Sequence, residues 1–177
     1  MAPPERSAIA EILEDSRADF HAAVDGVSEL DAKLCPAPGR WSVLECVEHI
    51  VISESRLLGW LENPIVDSAP PANKEKEAKL LSLANRTQRV EAPEPSRPTG
   101  RFATLAEAME QFDSARAGSI RFAESWGAGL YTLAAKHPFF GLCNGQEVML
   151  LMATHARRHA TQIREIRAAL REGGVSG

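Results

Sequence analysis

The sequence predicts an all-α protein built as a four-helix bundle. Ala, Leu, Glu and Arg are abundant while Tyr, Val and Ile are sparse, a composition that favours helix over sheet. Apolar residues recur at helical spacing in four long segments, and one long crossover separates the second segment from the third. The 177 residues can bury one core, so we predict a single domain across residues 1–177.

The first two helices have clear boundary signals. Helix one is predicted from about Arg6 to Val27, because six apolar residues share one face: Ile9, Ile12, Leu13, Phe20, Val24 and Val27. The segment from Asp25 to Gly39 then breaks the chain with glycines and prolines. Helix two is predicted to begin after Ser42, with Glu45 at the capping-box position, and to run to about Glu62.

Residues 63–103 are predicted to form a long crossover. This segment holds six of the chain's 11 prolines: Pro64, Pro70, Pro71, Pro93, Pro95 and Pro98. Proline lacks the N–H that regular structure needs, so any element here must be short. One short helix fits between Asn73 and Val90, through Leu80, Leu81 and Leu83.

The last two helices flank a glycine-rich connection. Helix three is predicted from Thr104, with Glu107 completing a capping box, to near Gly127. Residues 127–145 contain four glycines and His137-Pro138, and are predicted to be an ordered connection without a regular element. Helix four is predicted from Gln146 to about Arg171, followed by a short mobile tail over residues 173–177.

Charge and composition exclude several function classes. The formal net charge is −4, and no cluster of basic residues lies beside stacking aromatics, so nucleic acid is not an expected partner. The first 20 residues carry several acids and no apolar core, which indicates neither a signal peptide nor a membrane span. The three cysteines are odd in number and widely separated, which favours reduced thiols over disulfides. We therefore expect a cytoplasmic protein that binds no membrane.

Three polar residues interrupt the apolar face of helix four. At 100° per residue, His155, His159 and Gln162 fall within the stripe formed by Leu151, Met152, Ile163, Ile166 and Leu170. His155 and His159 are one turn apart, a spacing that lets two imidazoles reach one metal ion. The alternative is that both histidines form hydrogen bonds across the bundle, and the spacing alone does not decide between them.

Two further residues are candidates for the same site. His49 on helix two lies off the main apolar stripe, so it is either a surface residue or directed sideways into the groove beside helix four. Arg116 lies on the inner face of helix three, where a charge must be paired in a salt bridge or must contact an anionic ligand. His21 is expected at the surface, and His137 is expected to shape its loop.

Two motifs resemble those of the DinB-like family. Residues 40–49 are similar to its second-helix motif, in which a Trp-Ser entry is followed by a ligand histidine eight residues after the tryptophan. Residues 154–162 are similar to its fourth-helix motif, His-x-x-x-His-x-x-Gln. His137-Pro138 with Phe140-Gly141 resembles the loop that precedes the second motif. The resemblance implies a four-helix bundle with up-down-down-up connectivity.

The resemblance also implies a site and a function. The implied ligands of a divalent transition metal, zinc or nickel, are His49, His155 and His159. From their helix positions, Gln162 and Arg116 are the catalytic candidates; Gln162 either orients a metal-bound ligand or is a core amide with its hydrogen bonds satisfied. Three neutral imidazoles leave a coordination position open for water or a thiol. Relatives include transferases of bacillithiol or mycothiol, so we expect an enzyme that joins a low-molecular-weight thiol to a small molecule. The alternative is a non-catalytic metal-binding protein of the stress response. A homodimer is also expected.

Overall fold

Four long helices form the bundle predicted from the sequence. The computed structural model describes residues 7–65, 68–87 and 90–173. The long helices are α1 (Ala8–Val24), α2 (Val43–Glu62), α4 (Leu105–Trp126) and α5 (Gly145–Gly173). A shorter helix, α3 (Lys74–Ser82), lies in the crossover, as predicted. The predicted helices three and four are thus α4 and α5.

Local capping explains where three of these helices begin. The Ser7 hydroxyl accepts a hydrogen bond from the Ala10 amide at the start of α1. At α2, the Ser42 hydroxyl accepts from the Glu45 amide and the Glu45 carboxylate accepts from the Ser42 amide, which confirms the capping box. Thr104 caps α4 as predicted, but the Glu107 carboxylate accepts from the Ala103 amide rather than completing the box.

The ends of helices α1 and α5 differ from the predicted ends by two or three residues. Helix α1 ends at Val24, three residues earlier than predicted, because Gly26 adopts a left-handed φ of 73° that a continuing helix does not allow. The predicted start at Arg6 lies outside the described residues, as do residues 174–177 of the predicted tail. Helix α5 continues to Gly173, two residues beyond the predicted end.

Contacts between the long helices establish their directions. Arg164 bonds to Asp19, and Arg167 bonds to the carbonyl of Ala23, so α5 runs parallel to α1. Helices α2 and α4 also run parallel. Arg116 of α4 pairs with Glu54 of α2, and the later Gly118 of α4 lies near Leu58, which is one turn after Glu54 on α2.

Helices α2 and α5 run in opposite directions. His49 meets His155, whereas Glu54, further along α2, shares the partner Arg116 with Met152, which lies earlier on α5. Around the bundle the helices are ordered α1, α5, α2, α4. The connectivity is therefore up-down-down-up, and the long crossover is what allows α2 and α4 to run parallel.

The connection before α5 contains regular structure that the sequence did not predict. A 3-10 helix spans Gly127–Thr132, and β1 (Ala134–His137) pairs with β2 (Gly141–Asn144) in an antiparallel hairpin. Each strand has only four residues, too few for alternation to stand out. Gly141 closes the turn with a φ of 67°. The hairpin packs at the amino end of α5 and covers that end of the core.

A buried polar layer divides the core into two apolar clusters. One cluster includes Leu13, Leu61, Leu130, Met149 and Met152, and the other includes Phe20, Val47, Phe112, Ala160 and Ile163. The polar layer lies between the two clusters and consists of the fully buried Arg116 with its partners Glu54 and Ser16. None of the described helices combines the length and hydropathy that crossing a membrane requires.

Candidate metal centre

Three histidines from two helices converge at the α2–α5 interface. His155 Nε2 lies 3.0 Å from His49 Nε2 and 3.1 Å from His159 Nε2. His49 and His159 are buried, and His155 is half-buried. The antiparallel packing of α2 on α5 brings His49 opposite the pair on α5, so the structure brings together all three ligands implied by the sequence motifs. His49 is directed sideways into the groove rather than to solvent.

Hydrogen bonding shows that lone pairs converge at this point. His49 Nδ1 lies 2.6 Å from the carbonyl oxygen of Ser96, an acceptor only, so Nδ1 carries the proton and Nε2 of the neutral ring carries a lone pair. With neutral rings, one proton on His155 Nε2 must serve both of its contacts, or one contact brings two lone pairs together. His159 Nδ1 is buried without a hydrogen-bond partner. A divalent cation fits these three nitrogens because it accepts all three lone pairs.

The environment keeps the three imidazoles neutral. Burial lowers the pKa of His49, although the hydrogen bond to Ser96 acts in the opposite direction. The pKa values of His155 and His159 are lowered well below the usual value, first by burial and then by the neighbouring histidines and the Arg158 charge. Neutral imidazole is the form that binds a metal ion.

No fourth His, Cys, Asp or Glu side chain joins the cluster in the part of the chain that the structure describes. Among the described residues, the group of potential ligands comprises only His49, His155 and His159. Cys46, one turn before His49, is fully buried in the apolar core, and burial raises the pKa of its thiol. Its thiol therefore stays protonated and packs as a small apolar side chain. A metal ion bound by three nitrogens keeps coordination positions for other ligands.

The sequence matches the profile of a known protein family. The sequence profile of the DinB superfamily matches residues 12–163, most of the chain. The chain belongs to the DinB superfamily. Both histidine motifs lie within the matched residues, so the resemblance noted from the motifs is confirmed at the level of the family.

A solved structure shows the same fold as this DinB-superfamily chain. It is YfiT from Bacillus subtilis, described as a probable metal-dependent hydrolase with an unusual four-helix bundle topology. The two chains are 15% identical, with a TM-score of 0.59 over 96% of this chain and 93% of YfiT. At this identity the likeness concerns the fold alone. A search of curated protein sequences found no match.

An aromatic ring packs against one side of the three-histidine cluster, which we call the DinB centre. Trp41, directly before the cap of α2, has its ring centroid 4.9 Å from that of His49. It also lies nearly parallel to His159, at 6.2 Å and 20°. The Trp-Ser pair that opens α2 thus has two roles, since Ser42 starts the helix and Trp41 packs on two of the histidines.

Gln162 is held by a residue that the sequence did not indicate. Its side-chain oxygen accepts a hydrogen bond of 2.8 Å from Arg86 Nη1, and the same guanidinium contacts Glu165. Arg86 belongs to the crossover, which folds across α5 at this point. The hydrogen bond from Arg86 identifies the atom it reaches as the amide oxygen and fixes the orientation of the Gln162 side chain. Its role at the DinB centre stays a prediction.

Arg116 lies in a closed salt bridge. Its Nε and Nη2 atoms donate to the Glu54 carboxylate at 2.6 and 2.8 Å. Nη1 donates to the Leu13 carbonyl and the Ser16 hydroxyl, and Nη2 also reaches the Met152 carbonyl. All five guanidinium protons have acceptors, so none is left for an anionic ligand. Of the two sequence-based alternatives for Arg116, these contacts favour the buried salt bridge, and a catalytic role for Arg116 stays an untested prediction.

The other two histidines lie outside the triad. His21 is exposed and lies 2.7 Å from Asp113, in agreement with the predicted surface position. His137 Nδ1 accepts from the amides of Phe139 and Phe140 and so shapes the hairpin turn. Two surface cavities, of about 360 and 210 Å³, are lined by residues around His21 and around Trp60. None of the three converging histidines lines either cavity.

Proposed function

We propose that this DinB-superfamily protein is a metal-dependent enzyme that acts on a small molecule. His49, His155 and His159 would hold one divalent transition-metal ion through their Nε2 atoms. The observation that carries the proposal is the convergence of three neutral imidazoles, with no further His, Cys, Asp or Glu ligand among the residues described. Three-nitrogen sites are typical of catalytic zinc. Zinc and nickel are the proposed metals, because imidazole suits both.

The residues of the chain prepare this site. The Ser96 carbonyl fixes the tautomer of His49, and burial keeps all three rings unprotonated. Trp41 excludes water from one side of the cluster. Gln162, oriented by Arg86 and one turn beyond His159 on α5, would hydrogen-bond to a bound molecule. When bound, a divalent ion supplies Lewis-acid chemistry and lowers the pKa of a thiol or water ligand.

The proposed reaction is transfer of a low-molecular-weight thiol to an electrophile. The sulfur forms a bond to an electrophilic carbon, and the thiol proton is released as the leaving group departs. The motif resemblance supports this class, because relatives use bacillithiol or mycothiol. Hydrolysis is the activity that the description of YfiT names as probable for that protein. The assay below separates the two reactions.

The first experiment measures the metal. Protein purified without a histidine tag should carry close to one transition-metal ion per chain by elemental analysis. Absence of bound metal after exposure to zinc, nickel, manganese or iron would contradict the proposal.

The second experiment measures turnover. Metal-loaded protein is incubated with bacillithiol, mycothiol or glutathione and a panel of electrophiles, and separately with esters and amides without thiol. His155→Ala corrects for the uncatalysed reaction, and Gln162→Ala, which loses one hydrogen bond to the bound molecule, should retain the metal but turn over about tenfold more slowly. A rate only without thiol would replace transfer with hydrolysis.

A non-catalytic binding protein is the alternative. It would rest on the same three converging nitrogens, which can hold an ion without a reaction taking place there. A stoichiometric metal with no ligand-dependent rate for any substrate would support this alternative. The predicted homodimer is independent of both functions, and sedimentation velocity would test it.

A further inference from the structure

A buried carboxylate next to His49 grips the end of the crossover. Glu48 is 1% exposed. Its carboxylate accepts hydrogen bonds from the amides of Thr99 at 2.6 Å, Gly100 at 3.1 Å and Arg101 at 3.2 Å, and from the Thr99 hydroxyl at 3.3 Å. Gly100 has a left-handed φ of 78°, which lets successive amides point at one anion. Charge-assisted hydrogen bonds of this kind are about twice as strong as neutral ones.

The gripped segment also carries the partner of His49. Ser96 ends a 3-10 turn, Glu94–Ser96, just three residues before Thr99. Its carbonyl accepts the hydrogen bond from His49 Nδ1 at 2.6 Å, and its hydroxyl accepts from Arg56 Nη1 at 3.1 Å. Consecutive residues of α2, Glu48 and His49, therefore hold the same segment of the crossover.

We propose that Glu48 is a positioning residue of the metal centre. By fixing residues 99–101, it holds the Ser96 carbonyl at His49 Nδ1, which keeps the Nε2 lone pair of His49 directed at His155 and His159. The backbone bonds of the segment itself, from Ser96 to Pro93 and from Arg97 to Glu94, form the 3-10 turn, whereas Glu48 attaches residues 99–101 to α2. The use of this geometry for a metal rests on the proposed function, but the effect on the His49 tautomer does not.

The test is Glu48→Gln, which conserves shape but replaces one acceptor oxygen by an amide that faces N–H donors. Partners of ligand histidines typically change metal affinity 10- to 100-fold, so zinc should dissociate about 10 to 100 times faster from this variant. In the metal-free variant, the His49 Nδ1 proton should exchange with water faster than it does in the metal-free wild type. Nitrogen-15 NMR of the imidazole ring measures this exchange. Glu147→Gln is the matched control, since Glu147 is equally buried and also accepts a backbone amide, that of Asn144.

A second variant tests the same contact, which we call the clamp (Glu48 with residues 99–101), from the side of the crossover. Gly100→Ala leaves Glu48 and α2 intact, and the new methyl group has open space, so only the left-handed backbone resists it. It should accelerate exchange of the His49 proton and release of zinc by about 3- to 10-fold. This variant decides the question if Glu48→Gln does not fold.

The outcomes separate the two proposals. If wild-type protein holds no metal, the proposed function fails, while proton exchange at His49 still tests the clamp. The inference is overturned if Glu48→Gln, or Gly100→Ala in its place, leaves both the exchange rate and the zinc release rate within twofold of wild type. It is also overturned if Glu147→Gln changes them as much.

Discussion

Two buried polar clusters lie between the helices of this bundle, and their hydrogen bonding differs sharply. In the Arg116–Glu54 cluster every guanidinium proton has an acceptor, and the acceptors come from three other helices, α1, α2 and α5. In the histidine cluster, His155 Nε2 lies 3.0 and 3.1 Å from the Nε2 atoms of His49 and His159, and the His49 ring carries its proton on Nδ1, so its Nε2 has no proton to donate. One cluster is complete within the chain, and the other presents three ring nitrogens close enough together to hold one cation.

The difference separates structural burial from functional burial. A buried charge is tolerated when its partners are supplied by the protein, as for Arg116. A buried polar group without a partner costs about 1 to 3 kcal/mol, and such groups are retained where they serve a ligand. The four predictions that follow test this comparison, beginning with the largest expected effect on the fold.

Removing one partner of the closed cluster should strongly destabilise the protein. Arg116→Met leaves the Glu54 carboxylate buried without its cation, so the free energy of unfolding should fall by about 3 to 5 kcal/mol. Urea denaturation followed by circular dichroism measures this. Adding Glu54→Leu should restore much of the loss, because the unpaired charge is then gone. A loss below about 1 kcal/mol in the single variant would show that the pair contributes little.

Removing a histidine should have the opposite profile. His49→Ala, His155→Ala and His159→Ala should each abolish stoichiometric metal binding, yet change the unfolding free energy of the metal-free protein by less than about 2 kcal/mol. Elemental analysis and urea denaturation measure the two effects separately. His21→Ala is the control and should retain the metal. Collapse of the far-ultraviolet circular dichroism on chelation at pH 7 would indicate a structural site instead.

The histidine cluster should also make the metal-free protein sensitive to acid. Burial lowers the pKa of His49, His155 and His159 in the folded state, so below about pH 6.5 the unfolded chain binds more protons. The unfolding free energy should therefore be highest above about pH 6.5 and decline as the pH falls towards the folded-state values. Urea midpoints at pH 7.5 and pH 5 test this. His159→Ala should show a smaller difference between the two pH values, and equal differences would contradict the assignment.

The smallest expected effect is spectroscopic. Because Trp41 packs on His49 and His159, binding of nickel or cobalt should quench its fluorescence. The Trp41→Phe variant should lose most of the quenching and keep one metal per chain. Quenching that persists at full amplitude in Trp41→Phe would place the ion nearer to Trp60 or Trp126.

Local sequence signals predicted the helices and the ligand candidates. Helical periodicity and the caps at Ser42 and Thr104 depend on residues within a few positions of each other, so they can be read from the chain. The spacing of His155 and His159 likewise follows from one helical turn. The short strands of the hairpin were missed because four residues carry too little periodicity.

Partners that are distant in sequence were decided by the tertiary structure. The motifs implied His49 as a ligand, but its direction depended on the antiparallel packing of α2 on α5. The sequence left Arg116 between a salt bridge and an anion site, and the choice required the positions of Glu54, Leu13 and Ser16 on two other helices. Glu48 and Arg86 gave no signal at all, because their partners lie 51 and 76 residues away. Periodicity determines which face of a helix is buried, whereas only packing determines what that face meets.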